Sequence, residues 1–393
     1  MTISMKIFHI ADLHLGKTVQ NYSLIEDHRY VLQQFIQAID EEKPDVVIIA
    51  GDVYDRANPA VEAVHLLDDI LNEIVGKRKV PVLAIAGNHD SATRLQFANK
   101  LLQSSGLHIV GEMTKQVKSI ILNDEAGEVH FHLIPFAEPS TARNVLQDKS
   151  IATYDDAMRK TIETIDLSEN ARHVAIAHAY VTKSGEPDEE NTSDSERPLA
   201  IGGSEVVKAD YFEPFHYTAL GHLHRAHKVK HDRIRYAGSP LKFSSSEATH
   251  KKGFIIVDLQ ADGSVAIEKR ELTPLRDLRI VEGKLHDILA GERSEDYIFV
   301  RLTDETPVIG AMEQIRTVFP NAMHVERKTT MRRLNEENIE IVERHKLDDE
   351  TLFKAFFEDM TGEEADETTI QLFNEALQHL LNEERENVEV LSK

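Results

Sequence analysis

Apolar runs that break off into polar side chains recur along the first part of the chain. Val80-Pro81-Val82-Leu83-Ala84-Ile85-Ala86 leads into Gly87-Asn88-His89-Asp90. Phe8-His9-Ile10-Ala11 leads into Asp12-Leu13-His14, and Val46-Val47-Ile48-Ile49-Ala50 into Gly51-Asp52. Val174-Ala175-Ile176-Ala177 leads into His178, and Tyr217-Thr218-Ala219-Leu220 into Gly221-His222-Leu223-His224. Short continuous apolar runs of this kind predict strands buried on both faces. Helical spacing fills the intervals. Glu26 to Glu42 carries Val31, Leu32, Phe35, Ile36 and Ile39 on one face, and Pro44 closes it. Asn58-Pro59 predicts an N-cap, Val61, Val64, Leu67, Leu71 and Ile74 line the following helix, and Gly76 predicts its C-cap.

Strand, helix, strand, helix, strand with short loops predicts a right-handed, mainly parallel sheet, in which functional groups collect at the carboxyl ends of strands. From about Glu112 to Pro135 the pattern shortens into strands around an Asn123–Gly127 turn, and Tyr154 to Ile165 predicts a helix. Ser184–Arg197 is polar and predicts a loop near the site. Arg233 to Tyr236 and Gly253 to Leu259 predict hairpin strands completing a second sheet, with a turn at Ala261-Asp262-Gly263-Ser264. The expected fold is α/β, a two-sheet β-sandwich flanked by helices, with a small α+β capping domain and a helical C-terminal tail. Pro274 marks the boundary, giving domains over residues 1–272, 273–345 and 346–393. In the small domain Tyr297–Leu302 predicts a strand and Val308–Phe319 a helix. The tail carries one stripe of Leu352, Phe353, Phe356 and Phe357 and another of Leu372, Phe373, Leu377, Leu380 and Leu381. Such stripes either dock on a partner or pack back on their own domain.

Composition narrows the classes. The 393 residues contain no cysteine, which removes disulfides, thiolate metal sites and cysteine nucleophiles, and suits a reducing cytoplasm. No apolar run approaches the roughly 18 residues of a spanning helix, and the N-terminus has no signal-peptide plan, so no membrane is expected. The net charge of -23 argues against the cationic surface by which nucleic-acid binders gain affinity. Bound divalent cations reverse that sign locally, and a partner can supply basic surface.

Asp12, His14, Asp52, Asn88, His178, His222 and His224 all stand at predicted strand ends. Carboxylate oxygen, imidazole nitrogen and amide oxygen without sulfur suit manganese, iron or zinc. The set is too large for one ion and natural for two, with Asp52 the best candidate to bridge ions about 3.5–4 Å apart; two-metal sites of this kind hydrolyse phosphoesters. Taken singly each residue has an ordinary reading: Asp12 and Asp52 as turn residues, Asn88 in a left-handed turn, each histidine as a satisfied core residue. Asp90 reads as orienting a histidine, and Arg94 and Arg197 as surface arginines that alternatively contact phosphates. The joint placement of the set is what argues for a site.

Asp-x-His, Gly-Asp, Gly-Asn-His-Asp, Ala-His and Gly-His-x-His in this order resemble the calcineurin-like metallophosphoesterase superfamily. Phe8–Gly16, Gly51–Arg56, Gly87–Ser91, Ser195–Leu199, Tyr236–Pro240 and Pro274–Asp277 more narrowly resemble the SbcD family of bacterial nuclease subunits. That resemblance implies a manganese-dependent DNA exonuclease and endonuclease acting on ends and hairpins. It also implies a homodimer and an SbcC-like coiled-coil ATPase partner; this chain has no P-loop of its own. By match to the motifs, Asp12, His14, Asp52 and His224 would hold one ion, and Asp52, Asn88, His178 and His222 the other. His89 would face the scissile phosphate, stabilising its charge or protonating the leaving 3′ oxygen. Archaeal relatives carry a second histidine where this chain has Asp55, which removes an imidazolium donor there. Two alternatives are a metallophosphoesterase for small nucleotides or other phosphoesters, and a non-enzymatic scaffold that recruits an ATPase.

Overall fold

The computed structural model describes residues 4–168, 170–188, 190–196 and 205–327, and in the C-terminal region 353, 354, 357, 361, 365–374 and 376. Arg197 and most of the tail stripes lie outside the described residues. The chain divides into two compact units, Met1–Arg279 and Ile280–Lys393.

Two six-stranded mixed sheets build the first unit. One runs Val265–Glu271, Gly253–Gln260, Ser4–Ile10, Val46–Ala50, Val82–Ile85, Leu107–Val110, the last four mutually parallel. The other runs His227–Lys228, Ile234–Tyr236, Tyr217–Gly221, Arg172–His178, Gly127–Ile134, Lys118–Asp124, its central four strands parallel. Their inner faces share one core: Ile7, Ile48, Leu83 and Ile85 from the first sheet meet Phe131, Val174, Ile176 and Tyr217 from the second. Both outer faces are covered as well. The Ile25–Glu42 helix brings Phe35 against Phe8 and Phe254, ring centroids 5.7 and 4.8 Å away. The Tyr154–Ile162 helix brings Tyr154 and Met158 against Ala175, Ala177 and Leu220. Burial on both faces explains why the central strands read as continuous apolar runs rather than as alternating ones.

Several expectations are corrected. Gly253–Gln260 does not complete the second sheet: it pairs antiparallel with Ser4–Ile10 in the first, and turns back into Val265–Glu271. Its Phe254-Ile255-Ile256-Val257 core suits this central, doubly covered place. Ile234–Tyr236 does join the second sheet, parallel to Tyr217–Gly221. The helix after Asn58-Pro59 starts later, at Val61 with Ala60 as its cap, because the Asn58 side chain instead accepts from Arg94 at 2.6 Å. Gly76 does not end that helix; it lies inside a π-helical turn, Asn72–Lys77.

The second unit holds a three-stranded sheet of Leu278–Gly283, Tyr297–Leu302 and Ala322–Arg327, with helices Leu285–Leu289 and Ala311–Ile315 between them, apart from Leu278 and Arg279, which fall in the first unit. The expected Val308–Phe319 helix is thus a single short one. Ile298, Val300, Ile315 and Phe319 form the core of this unit. In the tail Phe353 stacks on Phe373, centroids 4.0 Å apart, so these two members of the two predicted stripes face each other. Among the described residues no helix is long and apolar enough to cross a membrane.

Candidate metal centre

Parallel strands deliver their carboxyl ends to one edge, and the loops leaving them are locked together. Asp12 N donates to Gly51 O at 3.1 Å, and His14 N to Asp52 O at 3.0 Å. Asp12, His14, Asp52 and His222 all adopt positive φ, at 52°, 45°, 47° and 109°. Non-glycine residues take this conformation at a cost of order 1 kcal/mol or more, and it concentrates at functional sites. Gly51 and Gly87 are required by close approach: a Cβ on Gly51 would lie 2.2 Å from His178 Nδ1, and one on Gly87 2.1 Å from Asp52 Oδ1.

The seven predicted side chains come together. Asp12, His14 and His224 form one group able to hold an ion, and Asp12, Asp52 and His178 another. Asp52 Oδ2 lies 3.5 Å from Nε2 of both His14 and His178. Asn88 Oδ1 sits 3.0 Å from His178 Nε2 and 3.2 Å from His222 Nδ1. His14 Nε2 faces His224 Nε2 at 3.1 Å. Asp12, His14, Asp52, His178, His222 and His224 are all buried.

These contacts fit cations. His178 Nδ1 donates to Ala50 O at 2.9 Å, so once neutral its Nε2 presents a lone pair to the Asn88 carbonyl oxygen. His224 Nδ1 is held by Ser195 Oγ at 2.7 Å and Glu247 Oε1 at 3.2 Å, leaving Nε2 as the acceptor aimed at His14. Among the described residues, the buried Asp12 Oδ2 and Asn88 Nδ2 have no hydrogen-bond partner. Facing lone pairs and an unpartnered carboxylate oxygen repel unless positive charge sits against them.

Electrostatics point the same way. Burial raises the Asp12 carboxyl well above the ordinary range. At Asp52 burial also pushes upward, but the imidazoles of His178 and His14 reverse this and leave it well below the ordinary value. Burial lowers His14 to about 4 and lowers His222 and His224 too, keeping these rings neutral. At His178 burial again works against the charge, yet the Asp52 and Asp12 carboxylates more than offset it and raise it to about 9. His178 must therefore lose its proton before its Nε2 can serve as a ligand.

His89 stands at the partly exposed rim. Its N–H donates to Asp52 Oδ1 at 2.9 Å, its Nδ1 bonds the Asp55 carbonyl at 2.9 Å, and its ring lies edge-on to His14 at 4.7 Å. It also falls in a possible ligand group with His14 and Asp52. Asp90 does not orient a histidine: its carboxylate accepts from the backbone N–H groups of Val53, Tyr54 and Gly87 at 3.1, 2.9 and 2.9 Å. It pins the Gly-Asp loop to the Gly-Asn-His-Asp loop. Arg94 ties Asn58 and the Ala57 carbonyl rather than facing the centre.

Sequence reasoning missed the groups behind the histidines. Glu247 contacts His224 Nδ1, accepts from Ser195 Oγ, and pairs with buried Lys252, which also donates to His224 O at 2.8 Å. Asp55, between Lys17 Nζ at 2.8 Å and His14 Nδ1 at 3.5 Å, faces the opposite histidine. Glu196 accepts from His224 N at 2.7 Å. Asp55 and Glu196 sit inside noted motifs; Glu247 lies in a Ser-rich turn that carries no signal.

Comparison with known proteins agrees with this centre. Residues 5–226 match the family model described as calcineurin-like phosphoesterase, and residues 274–361 the one described as type 5 capsule protein repressor C-terminal domain, SbcD_C. A relative from Staphylococcus epidermidis, named as the SbcD component of the nuclease SbcCD, is 34% identical over 382 residues, covering 96% of this chain and 98% of its own. Two solved structures overlap loosely and carry no argument. A dimetal phosphatase from Danio rerio has TM-score 0.38 at 13% identity, covering 70% of this chain and 98% of its own. Yfce, a phosphoesterase from E. coli, has TM-score 0.26 at 12% identity, covering 68% and 100%. The buried His/Asp cluster at the strand ends, with a family match spanning it and a relative aligned over nearly the whole chain, places this protein among the calcineurin-like metallophosphoesterases, as a hydrolase of the SbcD family of nuclease subunits.

Proposed function

We propose that the chain is a manganese-dependent DNA exonuclease and endonuclease that cleaves ends and hairpins, with ATP hydrolysis supplied by an SbcC-like coiled-coil partner. The observation that carries this reading is the convergence on Asp52 of two imidazoles from different sheets, His14 and His178, in a chain 34% identical to an SbcD component of the nuclease SbcCD. Asp12, His14, Asp52 and His224 are assigned to one ion, and Asp52, Asn88, His178 and His222 to the other. Bound divalent ions would act there as Lewis acids on a phosphodiester and make water a nucleophile near neutral pH.

The chain's own groups supply positioning and proton transfer. Asp90 fixes the two loops that carry Asp52 and Asn88. The His89 N–H holds Asp52 Oδ1 in place. With Nδ1 engaged by the Asp55 carbonyl, His89 keeps Nε2 for the substrate, where an imidazole protonates a leaving 3′ oxygen or steadies phosphate charge. Asp55 does not replace the archaeal histidine as a donor; its carboxylate backs His14 and Lys17.

A homodimer is part of the proposal. Val61, Val64, Phe97 and Leu101 are exposed, Phe97 by 80% and Leu101 by 77%, on stretches joined through Arg94 to Asn58 and Ala57. Large apolar side chains left in water favour a second protein surface. Residues 1–272 are assigned the nuclease role, 273–345 a capping role and 346–393 partner docking, in the cytoplasm. The test compares linear duplex DNA, hairpin DNA and nitrophenyl phosphate with manganese, with and without the partner and ATP. Cleavage of DNA in preference to nitrophenyl phosphate supports the nuclease; the reverse favours small phosphoesters, and no hydrolysis at all favours the scaffold.

A further inference from the structure

The histidines of the centre are backed in two different ways. His224 Nδ1 rests on the Glu247 carboxylate, and that carboxylate is neutralised behind it by Lys252. His14 Nδ1 faces the Asp55 carboxylate at 3.5 Å, an ion-pair contact longer than a hydrogen bond, and Lys17 lies behind that one at 2.8 Å. Glu247 and Lys252 are themselves buried, so their charges act through little water. On the other side His178 Nδ1 bonds a neutral group, the Ala50 carbonyl at 2.9 Å, with the Asp12 carboxylate farther off at 3.9 Å, while His222 Nδ1 turns toward its fellow ligand Asn88. Both carboxylate–lysine pairs thus stand behind the same half of one centre.

A carboxylate behind a ligating imidazole fixes its tautomer and ring orientation and strengthens it as a donor, and loss of such a partner typically weakens metal binding about 10–100-fold. We infer that Glu247 and Asp55 are positioning residues that make the Asp12–His14–His224 half the tighter of two unequal cation sites, filled before the Asn88–His178–His222 half. The paired lysines hold each carboxylate in place and limit the extra negative charge. This rests on the two-ion reading above, and deepens it by assigning an order of loading.

Manganese titration of the full-length chain, followed by the electron paramagnetic resonance of free Mn2+, tests it. Wild-type protein is expected to take up two ions with separated affinities. Glu247→Gln and Asp55→Asn are each expected to weaken the tighter uptake about 10–100-fold and leave the weaker one in place. Glu247→Gln leaves Lys252 unpaired, so Glu247→Gln with Lys252→Met, which removes both buried charges, serves as the folded counterpart. Two ions in the wild type with both uptakes unchanged, or both weakened alike, in the variants overturns the inference. Fewer than two ions in the wild type overturns instead the two-ion reading beneath it.

Discussion

Asp52 Oδ2 lies 3.5 Å from His178 Nε2, and the same oxygen is equally far from His14 Nε2, so one carboxylate stands between imidazoles of two sheets. Its backbone is held at φ 47°, and its other oxygen is fixed by the His89 N–H. Asp52→Ala removes the only group assigned to both ions. Metal analysis of the purified variant is expected to find both ions lost, together with cleavage. Retention of two ions would assign the bridge elsewhere.

His89 separates proton transfer from ligation. A positioned general acid contributes about 10²–10⁴-fold, so His89→Ala is expected to slow cleavage by that factor while metal content stays unchanged. Departure of an ion would instead make His89 a ligand, in the group it forms with His14 and Asp52.

The charge of the chain predicts weak DNA binding by the isolated protein. With a net charge of -23, little duplex counterion release is available from its own surface. Binding is expected to be feeble alone and tight with the partner. Equal affinity of the lone chain and the complex in a filter-binding titration would contradict this.

Acid should destabilise the fold through buried histidines kept neutral by their surroundings and not assigned as ligands. His9, bonded to Tyr217 Oη and Leu220 O, is lowered by burial to about 3, and so is His132, bonded to Ser119 and His173. Both folded values lie below the unfolded value of about 6.5, so their contribution is complete above that pH and is lost as pH falls through it. Each costs about 1.4 kcal/mol per pH unit in that range. In urea unfolding, His132→Asn is expected to be less stable than wild type at pH 7.5 yet to lose less on going to pH 5; an unchanged pH slope would refute the assignment.

The candidate centre is legible in the sequence because its signals are local. Each ligand cluster follows an apolar strand directly, so the strand and its polar residues are read in one window. Sheet membership of Gly253–Gln260 is not legible, since an apolar strand does not state which edge it joins. Glu247 and Lys252 are hidden for a related reason: their meaning arises only where a Ser-rich turn meets His224, 23 residues away from Glu247 in sequence. Asp90 resembles a histidine's partner because it adjoins one, while its three acceptor bonds go to backbone amides of two loops.

A two-ion centre bridged by Asp52 is tested by a crystal of the full chain grown with manganese and measured at the manganese absorption edge. Two anomalous peaks are expected, one among Asp12, His14 and His224, the other among Asn88, His178 and His222, with the Asp52 carboxylate touching both. A single peak, or peaks away from Asp52, would contradict it.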